Sequence, residues 1–78
     1  MSRDTSPKKR SVRISGHETS ITLEEPFWDA LREIATEQKI SVNTLIYEID
    51  KKREGNLSSA LRVYTLRYLQ DKLAQQAV

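Results

Sequence analysis

Ser11-Val12-Arg13-Ile14-Ser15-Gly16-His17-Glu18-Thr19-Ser20-Ile21-Thr22-Leu23 carries two short alternations, and their phase sets the architecture. Val12 and Ile14 are apolar between Ser11, Arg13 and Ser15, and Ile21 and Leu23 are apolar with Ser20 and Thr22 between and before them. A period of two is the signature of a strand with one buried face. The apolar positions are even in the first segment and odd in the second, so one straight strand would put Val12 and Ile21 on opposite faces. Gly16 lies in the gap, where a turn or a bulge can reset the phase. A hairpin turning at Gly16-His17 pairs Ser15 with Glu18, Ile14 with Thr19, Arg13 with Ser20 and Val12 with Ile21. Cross-strand partners share a face. Val12, Ile14, Ile21 and Leu23 then fall on one side, and Arg13, Ser20 and Thr22 on the other. That consistency favours a hairpin, or at least a bulge, over a continuous strand.

Downstream the period changes from two to that of helices. Pro26 suits a first helical turn, and Glu24, Glu25 and Asp29 suit its positive end. Phe27, Ala30, Leu31, Ile34 and Ala35 repeat at three and four, which predicts a helix to about Gln38. Ser41 is an N-cap residue for a second helix, with Val42, Leu45, Ile46 and Ile49 on one face, running to about Arg53. Gly55 suits a left-handed cap at its end, where Lys51, Lys52 and Arg53 match the negative pole. A third helix is expected from near Ser58. Leu57, Leu61, Tyr64 and Tyr68 form one stripe, and Val63, Leu66, Leu69 and Leu73 widen it beyond what one packing partner covers. Trp28 lies just off the face of the first helix and is expected to pack against a neighbouring helix.

Upstream, residues 1–10 are polar and read as a flexible basic arm, leaving residues 11–78 as one domain. Residues 1–13 hold Arg3, Lys8, Lys9, Arg10 and Arg13 against Asp4, a net +4 within a whole-chain charge of +2. Such arms neutralise phosphates or simply solubilise. A chain of 78 residues without cysteine has no disulfide staple and a marginal core of its own, which points to a homodimer. The single histidine, His17, cannot build a His/Cys metal cluster. No nucleophile–base set, paired-carboxylate pocket or phosphate-cradling glycine loop is present, so neither an enzyme nor a cofactor is expected. No apolar run is long enough to span a membrane, and the N-terminus lacks a secretory apolar region, so the expected location is the cytoplasm.

Ile40-Ser41-Val42-Asn43-Thr44-Leu45-Ile46-Tyr47-Glu48 resembles the opening of the second helix in ribbon-helix-helix repressors of the MetJ/Arc type. Lys9-Arg10-Ser11-Val12, Gly16-His17-x-Thr19-Ser20, Leu23-Glu24, Phe27-Trp28, Leu31-Arg32-Glu33-Ile34-Ala35 and Asn56-Leu57-Ser58-Ser59-Ala60-Leu61-Arg62-Val63 extend the likeness. They are similar to short uncharacterised bacterial proteins of that family, over roughly residues 9–70. The resemblance implies a mainly helical homodimer with a short β ribbon, in which one strand from each subunit pairs antiparallel across the two-fold axis and the ribbon lies in the major groove, and to which this chain adds a third helix. It implies a dimer core of Ile21, Leu23, Leu31, Ile34, Val42, Leu45, Ile46 and Ile49. It also implies binding to double-stranded DNA as a transcriptional regulator. Ser20 and Thr22 would face the groove with Glu18, and Ser41, Val42 and Asn43 would present a helix N-terminus to a phosphate.

The ribbon departs from the family pattern. Family readers use amides and an arginine there, whereas this chain has Glu18, Ser20 and Thr22, which discriminate bases weakly. Arg13 supplies a guanidinium if the hairpin brings it beside Ser20, and Lys8, Lys9 and Arg10 supply phosphate contacts. Two hairpins joined across a dimer axis would make four strands, with outer strands about 14 Å apart at the usual strand spacing. A major groove about 12 Å wide suits two. Either residues 11–15 peel away on DNA, or the dimer docks differently, or it does not enter the groove. The second function class is therefore a non-catalytic protein-interaction module, antitoxin-like or adaptor, using the third helix or the sheet. The third helix also offers a route to a higher oligomer.

Overall fold

The computed structural model describes residues 6–76. It contains a hairpin of β1 (Pro7–Ile14) and β2 (His17–Glu24), followed by α1 (Glu25–Gln38), α2 (Val42–Lys52) and α3 (Leu57–Gln76). The hairpin is a two-stranded antiparallel sheet. β1 begins at Pro7, so Lys8, Lys9 and Arg10, expected in the arm, lie in the strand. Residues 1–5 of the expected arm lie outside the described residues.

The turn is Ser15-Gly16 rather than Gly16-His17, and the register is Ile14 with His17, Arg13 with Glu18, Val12 with Thr19 and Ser11 with Ser20. Ser15 has φ 52° and Gly16 φ 81°. Two consecutive positive φ values make the tight turn whose twist matches that of the strands. The register is displaced by two residues from the expected one. A displacement of two leaves every side chain on its face. Val12, Ile14, Ile21 and Leu23 are therefore all buried, as the alternation required.

α1 ends on Lys39 in the left-handed conformation, whose N–H bonds to the carbonyls of Ala35 and Thr36. α2 opens as expected on Ser41, whose Oγ accepts from the Thr44 N–H at 3.0 Å. Its end differs from expectation. Arg53 is the C-cap in extended conformation, and Gly55 does not adopt positive φ. Arg53 instead bonds the Asp50 carboxylate and the Gly55 carbonyl, holding the loop by side chain. Asn56 then starts α3, its side chain accepting from the Ser59 N–H at 3.1 Å.

The core gathers Val12, Ile14, Ile21, Leu23, Trp28, Leu31, Ile34, Ala35, Leu45, Ile46, Ile49 and Leu61. Of the residues expected in a dimer core, all but the half-buried Val42 are buried inside a single chain. Trp28 joins this core and meets β1, its Nε1 donating to the Lys8 carbonyl at 3.0 Å. Two polar clamps fix α3. Arg62 bonds Glu24 of β2 at 3.0 Å, and Glu37 of α1 takes Tyr68 and Lys72.

Candidate nucleic-acid interface

Strand alternation puts Lys9, Ser11 and Arg13 of β1 on the same face as Glu18, Ser20 and Thr22 of β2. All six are exposed. Lys9 lies opposite Thr22, Ser11 opposite Ser20, and Arg13 opposite Glu18. Arg13 is thus diagonal to Ser20, not directly beside it as expected. Lys9 and Arg13 make no ion pair among the described residues. Two cations and three hydroxyls form a polar ribbon, and an acid sits at its tip. A single hairpin, with strands about 4.8 Å apart, is narrow enough for a major groove.

The remaining arm cations point elsewhere. Lys8 and Arg10 alternate onto the opposite face, toward α1. The Arg10 guanidinium lies 5.5 Å from the centre of the Trp28 ring and 3.4 Å from Glu25 Oε1. These contacts set a cation over the tryptophan ring and tie the start of α1 to the hairpin. The structure therefore brings Lys9 together with Arg13, and separates both from Lys8 and Arg10.

The N-terminus of α2 lies beside the turn end of the hairpin. Arg13 and Ser15 line one shallow groove of about 330 Å³ with Asn43, Thr44 and Tyr47. Asn43 is exposed, and Val42 is half-buried against the core. Ser41 Oγ is committed to the cap, accepting from Thr44 N–H and donating to Thr44 Oγ1 at 2.9 Å. The free amides of the first turn remain positive in aggregate. Thr44 and Tyr47 carry no distinguishing signal in the sequence beyond their place in the second helix. Tyr47 follows Asn43 by one helical turn, a spacing that places it on the same face, and Lys51 Nζ lies 5.1 Å from its ring centre.

His17 is exposed at the hairpin turn. Among the described residues no group of three acidic, histidine or cysteine side chains is arranged to hold a metal, and no helix is long and apolar enough to cross a membrane.

A family model described as the ribbon-helix-helix domain matches residues 7–69. Among solved structures the chain is similar to an uncharacterised protein from Bordetella pertussis Tohama I. The two are 36% identical with a TM-score of 0.76, over 97% of this chain and 65% of the other. The chain thus spans just under two thirds of the length of that relative. No curated protein matches it.

Proposed function

Because this chain belongs to the ribbon-helix-helix domain family, we propose that it is a non-catalytic, DNA-binding transcriptional regulator acting as a homodimer. The observation that carries the reading is the groove that joins Arg13 of the ribbon to Asn43 and Thr44 at the start of α2. One surface then offers a base-reading ribbon and a phosphate-binding helix end side by side. Arg13, Ser20 and Thr22 meet base edges, and Arg13 is the residue suited to a guanine. Lys9 meets the backbone beside them. The amides of Val42 and Asn43 receive a phosphate, with Ser41 fixing the helix start. Glu18 at the tip accepts from cytosine or keeps that end of the ribbon clear of phosphate. Such a role belongs in the bacterial cytoplasm, where the DNA lies.

One observation favours the second reading, a protein-interaction module. Val63, Leu66, Leu69 and Leu73 leave an apolar stripe exposed on α3. Mobility-shift titration at two salt concentrations separates the two readings. Arg13→Ala should relax sequence preference and cost about 1–3 kcal/mol per specific contact. Lys9→Ala should weaken binding to all sequences alike and lower the salt slope by about 0.9. A wild-type protein that shifts no DNA at low salt, or whose binding ignores both substitutions, would overturn the regulator reading.

A further inference from the structure

A groove of about 420 Å³ opens between α2 and α3. Two matching helix faces build it. On α2, Leu45, Glu48, Ile49 and Lys52 recur at three and four, and on α3, Ala60, Val63, Tyr64 and Arg67 do the same. Leu45, Ile49, Ala60 and Val63 make the lining largely apolar, and the volume is that of a pocket for a small molecule.

The polar groups around this lining are not all spent within the chain. Glu48 is answered by Lys51 at 3.3 Å, and Arg53, at the groove's edge, by Asp50 at 2.6 Å. Lys52 and Arg67 make no ion pair among the described residues. Tyr64 Oη accepts from Gln38 Nε2 at 3.0 Å, which orients the phenol and leaves its O–H to donate elsewhere. Arg67 follows Tyr64 by three residues and stands beside it on α3. Both lie farther from the α2–α3 loop than Ala60 and Val63. The groove thus has two donors, one of them charged, next to a stretch of hydrocarbon.

We propose that this groove binds a small carboxylic acid with an aliphatic body. The carboxylate accepts from the Arg67 guanidinium, whose fork matches two oxygens, and from the Tyr64 hydroxyl. The chain of the acid lies on Val63, Ala60 and Ile49. Lys52 adds a second positive charge from the α2 wall. Charge selects the anion. Four charged side chains line the groove, and the two without partners are both positive. A cation would be repelled there, and a neutral ligand would cover Arg67 without pairing it. The apolar lining selects the body, because each buried CH₂ raises affinity by up to about fourfold. The groove shares no residue with the one that joins Arg13 to Asn43 and Thr44, so the proposal stands apart from the DNA reading.

Proton–nitrogen NMR titration of the full chain with octanoate tests it. Octanoate should give saturable shifts centred on residues 45–49 and 60–67, and butanoate should bind more weakly. Octan-1-ol, the same chain with a neutral head, should bind at least about tenfold more weakly than octanoate, the loss of a charge-assisted pair. Arg67→Gln, at an exposed position, should lower octanoate affinity to the level of octanol and leave octanol binding unchanged. Tyr64→Phe keeps the ring beside Tyr68 and should likewise weaken octanoate alone. Absence of saturable shifts, equal binding of octanoate and octanol, or an octanoate affinity that ignores Arg67→Gln would overturn the proposal. Shifts centred on Leu66, Leu69 and Leu73 would overturn it too, since they would mark adsorption to the exposed stripe of α3.

Discussion

Gly16 and Gly55 are the chain's two glycines, and they have opposite roles. At Gly16 φ is +81°, while a Cβ would meet nothing within 4 Å at either position. The cost of a side chain at Gly16 is therefore purely one of backbone conformation. Gly16→Ala should destabilise by about 1–2 kcal/mol, the left-handed penalty for a residue with Cβ. Gly55→Ala, at ordinary φ and in open space, should be neutral or add about 0.4–1 kcal/mol by restricting the unfolded chain. Urea denaturation of the two variants checks the contrast, and equal effects would refute it. Trp28 shows the same dependence on position. Its ring is buried, and its N–H reaches the Lys8 carbonyl. Trp28→Phe keeps an aromatic ring but leaves that carbonyl without its donor, at a cost of about 1–3 kcal/mol.

At the scale of elements, α3 is held by charges as well as by Leu61. Hydrogen bonding from Arg62 holds the Glu24 carboxyl below the usual carboxylate range. Lys72, and then Tyr68, do the same for Glu37. The bond to Glu37 in turn raises Tyr68 and Lys72 above their ordinary values. Both glutamates bind fewer protons folded than unfolded at mildly acidic pH. Their stabilisation is complete above the unfolded carboxylate range and is lost as pH falls through the lowered folded values. Tyr68 and Lys72 act in the opposite sense. Their contribution is complete below their unfolded values and is lost as pH rises through the raised folded ones. The docking of α3 should therefore loosen at both extremes. Glu37→Gln should flatten the α3-dependent part of both limbs when thermal midpoint is followed against pH. Limbs identical to those of wild type would show that the Glu37–Tyr68–Lys72 cluster is not coupled to folding. The clamp is solvent-exposed, so high salt should shrink the effect.

For the whole molecule, the central matter is that one chain closes its own core. Ile21 is 2% exposed inside a single protomer, so Ile21→Ala should cost about 2–5 kcal/mol per chain. Equilibrium denaturation followed by helical signal checks the cost, and a stability equal to that of wild type would show that Ile21 is not packed on the helices of its own chain.

The alternation around Gly16 and the helical periods downstream determined the order of elements, the hairpin, the buried face and the cap at Ser41. These are local properties, written in spacing and in backbone preference. The buried face is legible even though the register is not, because a shift of two residues preserves faces. The register itself comes from Ser15 joining Gly16 at positive φ, and any serine is only weakly marked for that conformation. Three things needed tertiary structure. The spacing of Trp28 says that it is off the α1 face, but not that its N–H reaches the Lys8 carbonyl of β1. Lys8 and Arg10 look equivalent to Lys9 and Arg13 in a charge count, and only the strand, which begins at Pro7, sends them to opposite faces. The groove joining Arg13 to Asn43, Thr44 and Tyr47 spans some thirty positions and depends on how α2 packs beneath the hairpin turn. Spacing along the chain fixes which side of an element a residue occupies, whereas the neighbour across that side is chosen by packing between elements distant in sequence.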